Sequence, residues 1–230
     1  MLIIADSRLP ADILKKLQGI AKTVLLQTEG VVYDSISGHP DIFICATPSG
    51  FIVAPETPEN ILSEFTKNKI PFTFGEKSPG KQYPDSIPYN AVVTRDAIIH
   101  NQQHTDKSIT ENNSDKEVIH VGQGYTKCNL IALTQNTFIT SDRGIEKALQ
   151  KHYQVYWFSP ENILLEGQKH GFLGGCVGRW KNTLYFTGRL DSIPEYGKLN
   201  QIITNHGLNY EELYDGPLVD GGGILFIEEP

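Results

Sequence analysis

A thiol, an imidazole and two carboxylates stand at matching places in this chain of 230 residues, and together they could make and break a covalent bond. Cys176 offers the thiol, whose thiolate is the attacking species. His39, in the run His39-Pro40-Asp41, could move its proton. Asp41 and Asp220 could grip a cationic group with charge-assisted, bidentate hydrogen bonds. Lys127 and Arg179 bring positive charge that would lower the thiol pKa, while Asn90 and Asn129 supply neutral groups suited to binding a substrate. Gly174 and Gly175 before Cys176, and Gly221 after Asp220, would let a ligand come close to the backbone.

The places match because the chain repeats a phrase: a polar residue, a short apolar strand, a tight turn, a second apolar strand and a helix. Asp41, Asn90, Asn129, Cys176 and Asp220 head the copies, 49, 39, 47 and 44 residues apart. A further 51 residues lead from Asp220 through the chain end and start back to Asp41. This closure predicts an α/β fold of five ββαβ units around an axis, a pseudo-fivefold propeller formed by one domain over 1–230. The fifth unit is split between Asp220–Ile227 and the segment from Met1 to Leu17. The heading residues then point to one central place. Unpaired polar groups buried there would cost about 1–3 kcal/mol each, so the axis is either a functional pocket or a wet channel whose groups bond one another and water.

The elements that must hold these residues are legible to different degrees. Thr57-Pro58 and Ser141-Asp142 read as helix starts, with Ile61, Leu62 and Phe65, then Ile145, Ala148 and Leu149, on one face. A third strand follows each helix, at Thr23–Gln27, Pro71–Phe74, Val118–Val121, Val155–Phe158 and Tyr210–Tyr214. The polar stretch Gln102–Lys116 reads as an exposed loop with at most a short helix, and Lys77–Tyr89, with three prolines, as a second loop.

A net charge of −7 and a pI near 5.5 argue against a nucleic-acid partner and for a small-molecule ligand. No apolar run reaches the roughly 20 residues that span a bilayer, so no membrane partner and a cytoplasmic location are expected; a homo-oligomer stays open. Three cysteines without CxxC spacing suggest neither a disulfide framework nor a zinc site, and no metal or cofactor is expected. Cys45, inside an apolar strand, and Cys128, which strand alternation turns away from the Asn129 side, read as packing residues. His100, His104 and Asp106 read as a solvated surface, and His170 as a surface group.

The pattern resembles the pentein or guanidine-modifying enzyme superfamily, propellers of five ββαβ units that include arginine deiminases, agmatine deiminases and dimethylarginine hydrolases. Its Gly-rich segment ending in a nucleophilic cysteine is matched by Gly174-Gly175-Cys176, and its His-x-Asp by His39-Pro40-Asp41. The resemblance implies that Cys176 attacks a guanidinium carbon, that His39 transfers protons, and that Asp41 and Asp220 hold the nitrogens while a thiouronium intermediate forms and is hydrolysed. In the classical enzymes the histidine lies mid-chain and the cysteine near the end. Here the histidine comes first and a further strand follows the cysteine, as in a circularly permuted ring. The superfamily also holds a non-catalytic ribosome anti-association factor, so a binding protein of the same fold is the alternative.

Overall fold

Residues 1–229 are described in the computed structural model, and their strands form five sheets of three strands each. In unit one, Ile44–Thr47 and Gly50–Val53 make an antiparallel hairpin with Ile44 opposite Val53. The helix Glu59–Lys67 then carries the chain back to add Phe72–Phe74 parallel to the second strand. Unit two repeats this plan with Val92–Val93, Ala97–His100, the helix Lys107–Glu111 and Glu117–His120. Unit three uses Leu130–Ala132, Thr137–Thr140, the helix Arg143–Leu149 and Gln154–Trp157. Unit four uses Val177–Trp180, Thr183–Phe186, the helix Tyr196–Asn205 and Asn209–Glu212. The fifth sheet is built from both chain ends: Leu225–Ile227 pairs antiparallel with Leu2–Asp6, Leu2 opposite Ile227, and Lys22–Leu26 joins in parallel after the helix Ala11–Ile20.

Middle strands carry continuous apolar runs because each is covered on both faces, and Leu2, Ile3, Ile4, Ile98 and Ile99 are fully buried. The helices turn one stripe inward, Ile61 and Phe65 in unit one and Ile145 and Leu149 in unit three. Burying each such side chain contributes about 1.5–3 kcal/mol. Asp142 caps its helix through the Ile145 amide at 2.7 Å. Thr57 does not cap the helix Glu59–Lys67; its hydroxyl donates to the Phe43 carbonyl at 3.3 Å, which ties the helix entry to the strand entry instead.

Hydrogen bonds link each unit to the next: Asn90 Nδ2 to Asp41 O at 3.1 Å, the Lys127 amide to Asn90 O at 3.0 Å, the Leu173 amide to Ser141 Oγ at 3.2 Å, and the Gly221 amide to Gly175 O at 3.0 Å. Unit five meets unit one where Gly222 packs on His39.

The polar stretch after His100 differs from its reading. His100 and Asp106 are fully buried. His100 Nδ1 meets Thr105 Oγ1 at 2.8 Å and Nε2 meets the Gly124 carbonyl at 2.9 Å. Asp106 caps the short helix through the Ser108 amide at 2.9 Å and accepts the Glu76 and Lys77 amides, so it pins the two loops together. Hydropathy hid this because the burial comes from the neighbouring loop rather than from an apolar face.

Burial lowers the His100 pKa to about 4 from 6.5. The unfolded ring therefore takes a proton that the native ring refuses, and stability falls as pH drops from about 6.5 towards 4. His39, also lowered by burial, acts in the same direction, and Asp41, raised to about 6, acts against them. Urea midpoints across this window should fall less steeply for His100→Gln than for the wild type, and equal slopes would refute the assignment.

Candidate active site

Short helical turns, not strands, deliver the site residues. Pro40 opens the turn Pro40–Phe43, where its fixed φ suits the first helical position, and Asp41 is carried into the interior. Thr126–Asn129 carries Cys128, and a 3-10 turn, Leu173–Cys176, precedes the unit-four strand.

Cys128 Sγ donates to Asp41 Oδ2 at 2.9 Å. Asn90 clamps this pair: Nδ2 donates to Cys128 Sγ at 3.3 Å, and Oδ1 accepts the amides of Lys127 at 2.8 Å and Cys128 at 3.2 Å. His39, Asp41 and Cys128 offer side-chain donor atoms that all lie within 4.8 Å of one another. The imidazole stands between two carboxylates, with Nε2 3.8 Å from Asp6 Oδ2 and Nδ1 4.0 Å from Asp220 Oδ1. Among the described residues neither ring nitrogen has a hydrogen-bond partner, nor has Asp41 Oδ1.

Both carboxylates flanking His39 are held in place. Asp220 Oδ2 accepts the Phe172 amide at 2.8 Å and Oδ1 the Gly222 amide at 3.0 Å. Asp6 accepts from Arg8 Nε at 3.0 Å and Nη2 at 2.5 Å. Two glycines make room. Gly222 has φ 67°, and a Cβ there would collide with His39; a Cβ at Gly175 would collide with Asp220.

His39, Cys128 and Asp220 line a small, partly open cavity of about 100 Å³, walled by Tyr33, Tyr125, Phe172, Leu165 and His170. Tyr33, Tyr125 and Ser86 form a hydroxyl chain at 2.7 and 2.6 Å behind it. A cleft of about 420 Å³ shares Leu165, Gln168 and Asp220 with the cavity and adds Asp6, Arg8, Glu161 and Lys169.

Burial dominates the electrostatics. It raises Asp41 to about 6 against the pull of Lys127 and of the Cys128 hydrogen bond. Asp220 is also raised by burial, with His39 opposing. His39 is lowered by burial and stays neutral, and Cys128 is pushed well above the ordinary thiol range by burial and by the charges of Asp41 and Asp220. The resting pair is a thiol beside a neutral imidazole.

The structure thus brings together His39, Asp41 and Asp220, with Asn90 and Lys127 close by. It does not bring Cys176 to the cavity. The Cys176 thiol donates to the Phe172 carbonyl at 3.3 Å and packs among Val177, Phe186 and Leu173 in the unit-four core. Cys128, read as a packing residue facing away, takes the place beside His39, because Thr126–Asn129 is helical and the alternation of a strand does not apply. The hairpin ladders begin at Ile44, Val92, Leu130 and Val177, so the equivalent preceding residues are Phe43, Ala91, Asn129 and Cys176. Asp41 and Asn90 stand two and one positions earlier than Asn129 and Cys176 do.

Asn129 supports the site from behind, its Nδ2 donating to the Tyr125 carbonyl at 2.8 Å and its Oδ1 accepting from Ser141 Oγ at 2.8 Å. Arg179 lies elsewhere: its strand carries it to the hairpin turns, where it donates to the carbonyls of Lys181, Ala132 and Leu133. Asp6 and the aromatic walls were not among the sequence candidates. Asp6 ends an apolar strand and had only its place at the C-terminal end of Leu2–Asp6 to signal it.

The family model described as "Family of unknown function (DUF6873)" matches residues 4–225. No curated protein matches the sequence. Among solved structures, the fold is similar to DDAH from Pseudomonas aeruginosa, a cysteine-to-serine mutant complexed with citrulline. That match has 12% identity and a TM-score of 0.52, and covers 92% of this chain and 91% of that one. An amidinotransferase from Microseira wollei, in the saxitoxin biosynthetic pathway, matches at 10% identity, over 92% and 87% of the two chains, with a TM-score of 0.55. Agmatine deiminase from C. jejuni matches at 11% identity, over 92% and 74%, with a TM-score of 0.52. These likenesses give the fold alone, the pentein fold.

Proposed function

The chain belongs to a family of unknown function (DUF6873), and we propose that it is a cysteine-dependent hydrolase or deiminase of a guanidine- or amidine-like small molecule, with Cys128 as nucleophile. The finer architecture belongs to the same proposal: one domain whose five units close into a propeller around the site. The observation that carries the reading is the meeting of a thiol, an unbonded imidazole and the carboxylates of Asp41 and Asp220 around one buried place. The guanidine chemistry named for the structural neighbours supports it.

In this mechanism the carboxylates of Asp41 and Asp220 accept N–H groups of the planar cation. The incoming positive charge offsets the two carboxylates that keep Cys128 protonated, so the thiol ionises when substrate arrives. The Cys128 proton passes to His39, and the thiolate attacks the central carbon to form a C–S bond. The C–N bond to the leaving amine then breaks as His39 returns the proton to that nitrogen. In the second half His39 takes a proton from water as its oxygen attacks the thiouronium carbon; the C–S bond then breaks, His39 returns that proton to the departing sulfur, and the remaining hydroxyl proton passes to solvent as the urea carbonyl forms.

A haloacetamidine tests this directly. Peptide mass spectrometry should find the amidine adduct on Cys128, arginine or agmatine should protect against it, and a panel of guanidines should yield ammonia or free amine. No turnover across the panel and no amidine-selective labelling of Cys128 would overturn the reading.

A second reading, a non-catalytic binder of small cations, is favoured by one observation: the resting thiol is held well above the ordinary range. It predicts saturable guanidine binding with no adduct and no product.

A further inference from the structure

We propose that the open pocket bordered by the hairpin turns of units one to four binds a small organic oxyanion, a phosphate or a carboxylate, on the guanidinium of Arg179. This pocket shares no residue with the cavity around His39, so the inference stands apart from the proposed function and is tested without turnover.

The turns that carry the candidate active site precede the first strand of each hairpin and the hairpin turns follow it, so the two lie at opposite ends of the same strands. Thr47, Arg95, Leu133, Arg179, Asn182 and His206 line the pocket at this far end, and its volume is about 940 Å³. Small-molecule sites ordinarily enclose about 300–1,000 Å³. The chain carries 27 acidic residues against 20 basic ones, yet among the described residues no Asp or Glu lines this pocket. Two arginines line it instead.

Arg179 is fixed in place but not neutralised. Its Nε donates to the Lys181 carbonyl at 2.9 Å, and its Nη1 donates to the carbonyls of Ala132 at 3.0 Å and Leu133 at 2.8 Å. Those bonds use three of the five N–H groups of a guanidinium and hold its plane across the hairpins of units three and four. Nη2 keeps two N–H groups, and among the described residues it has no partner. Carbonyls carry no net charge, so the cation lacks a counter-ion: burial draws its pKa down and no carboxylate opposes this. An oxyanion supplies both missing things, acceptors for Nη2 and a negative charge, in charge-assisted hydrogen bonds. Arg95 stands on the rim, where its contact with Asp96, 3.8 Å away and exposed, is screened by water. Asn182 adds an exposed neutral donor.

The experiment titrates the full chain at low salt with inorganic phosphate, glycerol phosphate and succinate, with glycerol as the neutral control. Calorimetry gives the stoichiometry, and amide NMR shifts locate the contact. We expect one oxyanion per chain, no glycerol binding, and shifts centred on Leu133, Arg179 and Asn182. The relative affinities of the phosphates and succinate tell which oxyanion the pocket takes. Arg179→Gln should weaken binding by about 10–100-fold, the loss expected when charge-assisted hydrogen bonds are removed. Because Arg179→Gln could loosen the two hairpins, Arg95→Glu serves as a second variant, and reversing that exposed rim charge should weaken binding about tenfold. Arg189→Ala removes an exposed arginine already paired with Asp191 and Asp215, and it should leave binding unchanged. No binding of any of the three anions, shifts centred on His39, binding unchanged in a folded Arg179→Gln, or an equal loss in Arg189→Ala would overturn the proposal and leave Arg179 as a tie between hairpins. Oxyanion binding and Cys128 labelling are read separately, so either reading can fail alone.

Discussion

Alanine at Cys128 should reduce guanidine turnover more than about a thousandfold, while alanine at Cys176 should leave kcat and KM near wild type. The contrast follows from where each sulfur points. Cys128 Sγ faces Asp41 at 2.9 Å and lines the cavity with His39, whereas Cys176 faces the Phe172 carbonyl within the apolar core of unit four. Removing a nucleophile takes away the bond that divides one difficult step into two, and neighbouring groups do not replace it. Removing the Cys176 sulfur leaves a small void and costs about 1 kcal/mol of stability. Steady-state assays with both variants, alongside urea midpoints, decide the matter. Full activity in Cys128→Ala, or a thousandfold loss in a folded Cys176→Ala, would reverse the assignment.

Asp220→Asn should lower kcat/KM by about 10–100-fold, the range expected for losing a charged hydrogen bond worth about 1.5–3 kcal/mol. Asp220 does three things at once. It accepts the Phe172 and Gly222 amides, it stands 4.0 Å from His39 Nδ1, and it supplies one of the negative charges that a planar cation would meet. Asparagine keeps the shape but turns an NH₂ group towards one of the two amide donors, so the segment ending at Phe172 also loosens. Binding of the cation should suffer most, raising KM more than it lowers kcat, with a modest fall in the thermal midpoint. An unchanged kcat/KM in a folded Asp220→Asn would remove Asp220 from the proposed site.

The ββαβ plan was legible because its signals are local. Turn residues, runs of alternating apolar residues and helix stripes fixed the units, and the spacing round the chain ends anticipated the sheet that joins Leu2–Asp6 to Leu225–Ile227. The third strands fell within one or two residues of their predicted places, as at Val118–Val121 against the observed Glu117–His120. Much of the candidate site was legible for the same reason, since His39, Asp41 and Asp220 do gather. The cysteine beside His39 is Cys128 rather than Cys176 because register is decided by the turns ahead of the strands. Ile42-Phe43 looks like the start of an extended run but lies in a helical turn, and Cys128 sits in another. Asp6, Tyr33, Tyr125 and Phe172 reach the site from distant places in the sequence, and no short-range pattern marks such convergence.

The sheet shared by the two ends sets an order of events during synthesis. Among the described strands Leu2–Asp6 is made first, yet its antiparallel partner, Leu225–Ile227, is made last. For the whole of that interval one edge of the first strand lacks its mate, and His39 has neither Asp220 nor Gly222 beside it. Nascent or truncated chains ending before Asp220 therefore hold a thiol and an imidazole without the group that completes their surroundings. The proposed site is therefore complete only once the segment from Asp220 to Ile227, made last, has joined the strand made first.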